Sequence, residues 1–158
     1  MEFSTEKFYP LRPIQRWLVD KHFNKAKSTM MNIGVLLKLS HAIDMEYFAE
    51  AINSVLNRHD IFRCRFVFHP ETSDLCQIFD GEITPVKVEY ISDEEFAIRA
   101  EKLREPYRII NKPLWRVYLF ETPTAKYVFS DFYHAVMDGV AASYLFSREV
   151  DMAYRGRN

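Results

Sequence analysis

The chain has 158 residues, of which 48% are hydrophobic and 15% aromatic, so it is long and apolar enough for one globular domain with its own core. Its 21 basic and 22 acidic residues nearly cancel, leaving a net charge of -1, and no polycationic surface is predicted that would bind nucleic acid or an anionic membrane. The sequence contains no run of about 18 apolar residues that could span a membrane, and its first residues do not resemble a secretory signal, which together predict a cytoplasmic protein.

The cysteines and glycines argue against a metal or nucleotide site. Cys64 and Cys76 form neither a CxxC pair nor a zinc-ligand spacing, and they are predicted to be free thiols in the core. Only four glycines are present, and they form no glycine-rich phosphate loop. No metal or diffusible cofactor is therefore expected.

The first predicted element is a helix within residues 8–23. Pro13 suits its first turn, where the missing N–H of a proline removes no hydrogen bond. Ile14, Trp17 and Leu18 follow at helical spacing, and this apolar face is predicted to pack in the core.

A strand and a second helix are predicted next. Residues 32–39 are nearly all apolar, which is typical of a central strand covered on both faces. Asp44 is a candidate cap for the helix that runs to Arg58. Residues 61–68 then alternate in character and predict another strand.

The middle of the chain predicts two short strands, at 75–79 and 86–90, which could form a meander. Ser92, with Glu95 three residues later, is a capping-box pattern that opens a third helix. Its charged residues are predicted to form a solvated face.

The last part of the chain predicts a hairpin of residues 114–121 and 126–133, followed by a helix at 140–154 with Gly156 as its cap. No repeat or linker divides the chain. The element order predicts one α/β unit in which a mixed, largely antiparallel sheet packs against helices.

The turn between the hairpin and the last helix contains His134, Asp138 and Gly139. An imidazole exchanges a proton near neutral pH, which a hydroxyl or amine nucleophile needs during attack. A carboxylate four residues later can turn back to fix the loop, and a glycine permits the turn and the close approach of other atoms. The alternative for a histidine without such neighbours is a structural role at a strand end.

Residues 133–139, Tyr-His-Ala-Val-Met-Asp-Gly, resemble the HHxxxDG motif of the condensation domains of nonribosomal peptide synthetases. They also resemble the wider HxxxDG motif of the chloramphenicol acetyltransferase-like acyltransferases. Three further segments are similar to that family in the family's own order: residues 9–16 to its opening segment, 57–66 to its RHExLRTxF motif, and 112–119 to the strand that enters the domain centre. The resemblance covers nearly the whole chain. It also implies that the first helix lies near the substrate tunnel of such domains, which is the alternative to core packing.

The resemblance implies a chloramphenicol acetyltransferase-like half. A domain of this family has two similar halves with the active site in a tunnel between them, and residues 1–158 correspond to the N-terminal subdomain, with the C-terminal subdomain absent. The chain alone is therefore expected to be a poor catalyst. Its uncovered apolar face is expected to favour self-association.

The implied reaction is transfer of an acyl or peptidyl group from a carrier-protein phosphopantetheine thioester to an acceptor amine, as in secondary metabolite biosynthesis. The expected partners are carrier-protein domains and the C-terminal subdomain. His134 would take the amine proton or orient the amine, and a backbone N–H near Gly139 would stabilise the oxyanion. The resemblance also implies that Arg63 pairs with Asp138 to support the turn, whereas the sequence by itself favours a solvated arginine.

Tyr133 stands where the family usually has its first histidine, and a phenol, which titrates near pH 10, cannot act as an imidazolium at neutral pH. This leaves two alternatives to amide formation. One is a fragment of a standalone acyltransferase of the same superfamily that acts on a hydroxyl. The other is a catalytically silent half that serves as a carrier-protein docking or dimerisation module.

Overall fold

The computed structural model describes residues 7–156, and their strands belong to two sheets. Residues 1–6, whose sequence argues against a secretory signal, and residues 157–158 lie outside this range. The strands are β1 (Tyr9–Pro10), β2 (Asn32–Leu39), β3 (Arg65–Phe68), β4 (Leu75–Ile78), β5 (Val88–Tyr90), β6 (Trp115–Glu121) and β7 (Lys126–Tyr133). The α-helices are α1 (Pro13–Asn24), α2 (Met45–Arg58), α3 (Asp93–Ala100) and α4 (Phe146–Arg155).

The larger sheet has the order β2-β7-β6-β5, and the smaller sheet has the order β1-β4-β3. β6 and β7 form the predicted hairpin at the centre of the larger sheet. Only β5 runs parallel to its neighbour, β6, among the described strand pairs. The prediction of a mixed, largely antiparallel sheet is therefore confirmed.

Local sequence determines where the helices begin. Pro13 occupies the first position of α1, as predicted. The carboxylate of Asp44 accepts a hydrogen bond from the N–H of Tyr47 at 3.1 Å, which caps α2. The hydroxyl of Ser92 accepts one from the N–H of Glu95 at 3.1 Å, which caps α3.

Helices cover both faces of the larger sheet. Side chains of α2 and α4 pack against one face, and α3 with the segment after it packs against the other. Because successive residues of a strand point to opposite faces, β7 supplies Val128 and Phe132 to the first core and Phe129 to the second. A third core lies between α1, the smaller sheet and the end of β7, where Tyr133 is buried.

Two predictions about buried faces are wrong. β2 is not central but lies at the edge of its sheet, and Val35, Leu36 and Leu37 are 40%, 39% and 46% exposed. In α1, Ile14 and Trp17 are 62% and 54% exposed. Leu18 is buried as predicted, and Gln15, Val19 and His22 form the rest of the buried face of α1.

The middle strands also differ from prediction. Residues Asp60–Arg63 form a 3₁₀ turn, so the predicted strand at 61–68 begins only at Arg65. The predicted meander is wrong, because β5 leaves the smaller sheet and pairs with β6 in the larger one. The pairing partner of so short a strand is set by tertiary contacts rather than by its own sequence.

Two further sequence-based expectations concern the thiols and the membrane. Cys64 and Cys76 are buried and free, as predicted, and burial raises the pKa of Cys64 to about 12, so this thiol stays protonated at neutral pH. Within residues 7–156, no helix is both long and apolar enough to span a membrane.

Candidate active site

His134 directly follows the last residue of β7. Its N–H donates to the carbonyl of Met31 at 2.9 Å, and the N–H of Tyr133 donates to the carbonyl of Leu114 at 2.9 Å. The chain is thus held on both sides until it leaves the sheet, at the end of an inner strand. The side chain of His134 is exposed.

The turn after His134 closes on itself and leads into a helix. The N–H groups of Val136 and Met137 both donate to the carbonyl of Tyr133, at 3.0 and 3.3 Å. The carboxylate of Asp138 accepts from the N–H of Ala141 at 2.8 Å. Helical structure starts at Gly139 and includes a π-helical turn at Ala141–Leu145 before α4. Asp138 is therefore the cap of this helix, and a negative charge is favourable at that end.

The ion pair predicted between Arg63 and Asp138 is wrong. Arg63 donates to the carbonyl of Gly81 at 3.4 Å and to the side chain of Asn57 at 3.3 Å. None of the ion pairs among residues 7–156 joins Arg63 to Asp138. Arg63 ends the 3₁₀ turn rather than lying in a strand, and the carboxylate of Asp138 accepts from the backbone N–H of Ala141 instead. Arg63 therefore does not support the turn through an ion pair with Asp138.

Tyr133 lies beneath the turn and is fully buried, with 0% exposure. Its ring packs against the ring of His22, with centroids 5.4 Å apart and planes at 88°, and also against Phe66 and Tyr107. Its hydroxyl finds no hydrogen-bond partner among the described residues. Burial raises the pKa of Tyr133, so the phenol supports the turn by packing and stays protonated.

Gly139 is exposed and has no positive φ angle. A methyl group built on it would meet no heavy atom within 4 Å among the described residues. The backbone therefore does not require glycine here, and the open space allows another molecule to approach the start of the helix.

A cleft of about 550 Å³ opens beside His134. Trp17, from α1, and Met30 are 54% and 53% exposed and contribute to its wall. Lys21 places its ammonium group 5.6 Å from the centre of the Trp17 ring. The α1 residue that sequence assigned to the core thus lines a cleft instead. A larger cleft of about 720 Å³, beside the first half of β6, is lined by none of the predicted site residues.

Two polar residues near the turn were missed by the sequence analysis. Asp131 of β7 is 0% exposed, accepts from Asn32 at 2.7 Å and lies 3.4 Å from Arg116. Gln15 of α1 is 9% exposed and donates to the carbonyl of Ala135 at 3.1 Å. A carboxylate inside an apolar strand and a glutamine within an apolar helical face are the signals that could have identified them.

The electrostatics of Asp131 are dominated by its burial. Loss of water raises its pKa, and the hydrogen bond from Asn32 and the positive charge of Arg116 oppose that change. One carboxylate oxygen has no hydrogen-bond partner among the described residues. Asp131 faces the side of the sheet that α3 covers, as does Arg116, so it does not reach the cleft at His134 directly.

The condensation domain family matches residues 5–157 of the chain. The chain belongs to the condensation domain family. It is 25% identical to tyrocidine synthase 3 of Brevibacillus parabrevis over 152 residues, which are 95% of this chain and 2% of that protein. It is 29% identical to surfactin synthase subunit 2 of Bacillus subtilis (strain 168) over 142 residues, or 83% of this chain and 4% of that protein.

Solved condensation domains share the fold. The starter condensation domain of rhizomide synthetase RzmA superposes with a TM-score of 0.78 and 19% identity, over 96% of this chain and 38% of that one. The condensation domain of the monacolin K polyketide synthase MokA gives a TM-score of 0.75 and 22% identity, over 95% of this chain and 35% of that one. The predicted chloramphenicol acetyltransferase-like fold is confirmed, and the chain spans little more than a third of these neighbours.

The candidate site of this condensation-domain chain has no metal-binding cluster in the part of the chain that the structure describes. What it contains is an exposed imidazole on a tightly bonded turn, a capped helix start and an open cleft. Such a site can orient a nucleophile and move one proton.

Proposed function

We propose that residues 1–158 are the N-terminal subdomain of a condensation domain and contribute the imidazole of an acyl-transfer site. The reaction is transfer of an acyl or peptidyl group from a carrier-protein phosphopantetheine thioester to an amine. The observation that supports it is the exposed His134 at a cleft of about 550 Å³, on the turn that matches the family motif. The proposal includes carrier-protein domains and a C-terminal subdomain as partners, and a cytoplasmic location.

The chemistry assigned to the chain is limited to its own groups. The amine nitrogen attacks the thioester carbonyl carbon. The His134 ring either accepts the amine proton on its unprotonated nitrogen or orients the amine for the attack. The C–S bond then breaks, and the departing thiolate takes up the proton. Positioning of both substrates supplies much of the rate increase, because it replaces an encounter in solution with a held geometry.

The oxyanion of the tetrahedral intermediate is assigned to a backbone N–H near Gly139. The first N–H groups of a helix have no carbonyl partner within the helix, and they lie at its positive end. Asp138 already occupies the N–H of Ala141. The open space at Gly139 is compatible with a substrate carbonyl beside the preceding N–H groups.

A neighbouring structure is compatible with a thioester ligand. A variant of the RzmA starter condensation domain has been solved in complex with C8-CoA, and it superposes with a TM-score of 0.79 and 21% identity. CoA and carrier proteins present the acyl group on the same pantetheine arm. For this chain, a thioester of that class remains part of the proposal.

The test is an acyl-transfer assay on a two-subdomain protein, in which this chain is joined to the C-terminal region that its solved neighbours contain. We expect transfer from an acyl carrier protein to an amine, and we expect His134→Ala to lower the rate by about 10²-fold or more with the melting transition retained. Ile98→Ala serves as the matched control, because Ile98 is 62% exposed on α3 and does not line the cleft at His134. Undiminished turnover of His134→Ala would remove the imidazole from the mechanism.

A second candidate, transfer to a hydroxyl, is favoured by one observation. Tyr133 replaces the first histidine of the family motif and is wholly buried, so the motif itself supplies one imidazole rather than two. The same assay with matched amine and alcohol acceptors decides between the two. Carrier-protein binding that persists without any transfer would instead support a silent docking module.

A further inference from the structure

Gln15 forms hydrogen bonds to two other segments beneath the His134 turn and to the start of its own helix. Its Nε2 donates to the carbonyl of Ala135 at 3.1 Å and to Oε1 of Gln77 at 3.1 Å. Its Oε1 accepts from the N–H of Arg12 at 2.9 Å. Gln77 in turn lies 3.4 Å from the carbonyl of Pro10 through its own Nε2. The amide therefore connects α1, β4 and the turn.

The chemistry of an amide explains how a glutamine can be buried beside Leu18 and Val19 in α1. A buried amide costs free energy unless its donors and acceptor are paired, and Gln15 uses both donors and its oxygen. A carbonyl only accepts hydrogen bonds, so the bond to Ala135 requires the Nε2 end of the side chain to face the turn. An apolar residue of the same size would leave the Ala135 carbonyl without this partner.

The bond lies at a position that matters for His134. The N–H of His134 is held by the carbonyl of Met31, and the carbonyl of the next residue, Ala135, is held by Gln15. Among residues 7–156, Gln15 is the only side chain from outside the turn with a hydrogen bond to the backbone of residues 134–137. The backbone is therefore fixed on both sides of the His134 Cα atom, once by the carbonyl of Met31 and once by this amide.

We infer that Gln15 is a positioning residue for His134: its amide, oriented by Gln77, holds the turn so that the imidazole stays directed into the cleft. The importance of this for catalysis rests on the proposed function, but the positioning itself does not. Gln15 touches no reacting group. It acts through the backbone, so its loss is expected to release the ring rather than to unfold the domain.

The test compares two variants of the 158-residue chain by NMR. Gln15→Met keeps the length of the side chain and removes both donors. Asn53→Leu is the matched control, because Asn53 also uses its amide to bridge to backbone, donating to the carbonyl of Val86 at 2.9 Å and accepting from its N–H at 2.8 Å. Asn53 lies in α2 and has no hydrogen bond to the turn. Each variant thus loses one bridging amide, which is buried at Gln15 and half-buried at Asn53, but only Gln15→Met is expected to affect His134.

The expected result is that the ring Cε1–H signal of His134 and the amide signal of Ala135 broaden by about twofold or more in Gln15→Met and stay unchanged in Asn53→Leu. Unchanged signals in both variants, or equal broadening in both, would overturn the inference. If Gln15→Met does not fold, the wild-type protein decides the question. Its only glutamines are Gln15 and Gln77, and fast solvent exchange of the Gln15 side-chain amide protons would rule out the buried bond.

These readouts need no turnover. A wild-type ring that is ordered in a two-subdomain protein without acyl transfer would refute the proposed function and leave the role of Gln15 intact. In the opposite case, Gln15→Met makes the His134 ring mobile but leaves the rate of acyl transfer unchanged. Gln15 would then position His134, and catalysis would not depend on that positioning.

Discussion

The neighbouring strands β2 and β7 are both eight residues long and rich in apolar side chains, yet they differ in what covers them. β7 lies between β2 and β6, and its last six residues are buried. β2 has a strand on one side only, and three consecutive apolar residues at its middle are about 40% exposed or more. A similar composition thus produces an inner strand in one case and an edge strand in the other.

The difference shows what positions the site. Since both neighbours of β7 hold its backbone, the chain leaves the sheet in a defined direction and presents His134 at a cleft. Met31, the residue before β2, contributes its carbonyl to this arrangement, but the outer edge of β2 is not paired with another strand. The N–H and carbonyl groups of an edge strand that point outward remain available for pairing. In β2, Arg104 donates to one of these carbonyls, that of Gly34, at 2.6 Å.

The largest expected effect comes from shortening a buried side chain of β7, and the matched change shortens an exposed side chain of β2. Phe132 of β7 is 1% exposed and packs against Phe62 and Phe146, whose ring centroids lie 6.2 and 5.1 Å away. We expect Phe132→Ala to lower the free energy of unfolding by about 3–5 kcal/mol, because it removes a large buried ring and leaves a cavity. The measurement is urea denaturation followed by fluorescence.

Leu37→Ala in β2 is the matched change at the edge strand. Leu37 is 46% exposed, so its truncation is expected to cost about 1 kcal/mol or less. Equal losses at Phe132 and Leu37 would mean that β2 is covered in solution, and the contrast between the two strands would then fail.

The sequence predicted the helices and strands themselves better than it predicted which elements lie beside them. Asp44 and Ser92 act as the caps that their positions predict, since capping depends on contacts only three residues apart. The place of β2 at the sheet edge depends on a partner nearly 100 residues away, and an apolar run predicts burial without identifying what buries it. For the same reason Trp17 was assigned to the core although it lines the cleft.

The candidate site was predictable as a turn but not as a set of contacts. The sequence identified His134, Asp138 and Gly139 from their spacing, and the structure places all three on one turn. The expected partner of Asp138, which only the family resemblance implied, was wrong, because Arg63 ends a 3₁₀ turn and donates to Gly81 and Asn57 instead. Gln15 was missed because nothing local shows that a helix 120 residues earlier in the chain reaches the carbonyl of Ala135.

A pH dependence distinguishes the buried polar group of β7 from the exposed residues of β2. Burial raises the pKa of Asp131, so the folded protein retains a proton on this carboxyl to a higher pH than the unfolded chain does. Between the unfolded value of about 4 and the raised folded value, stability therefore falls as pH increases. Asp131→Asn lacks this titration.

We therefore expect the free energy of unfolding of Asp131→Asn to increase relative to that of the wild type as pH rises from 4 to 7, so that the variant gains stability in the comparison. The measurement is a series of urea denaturation curves across that range for both proteins. A difference that moved in the opposite direction would indicate that Arg116, 3.4 Å away, outweighs the loss of water around the carboxylate.

The smallest expected effect concerns association through the outer edge of β2. Backbone bonding alternates along an antiparallel pair, and the bond between Met31 and His134 places the odd-numbered residues of β2 toward β7. The even-numbered residues Leu36 and Lys38 then point their N–H and carbonyl groups outward. With the exposed side chains of Val35, Leu36 and Leu37 beside them, this edge can pair with a second copy of the chain.

We expect the 158-residue chain to self-associate at micromolar concentration and Leu37→Lys to weaken that association by about tenfold, because pairing would bring two added charges together in an apolar strip. Ile98→Lys is the matched control, since Ile98 is 62% exposed on α3, away from β2. Sedimentation equilibrium measures both variants. A monomeric wild type, or equal weakening by both substitutions, would show that the apolar edge of β2 does not mediate contact between copies.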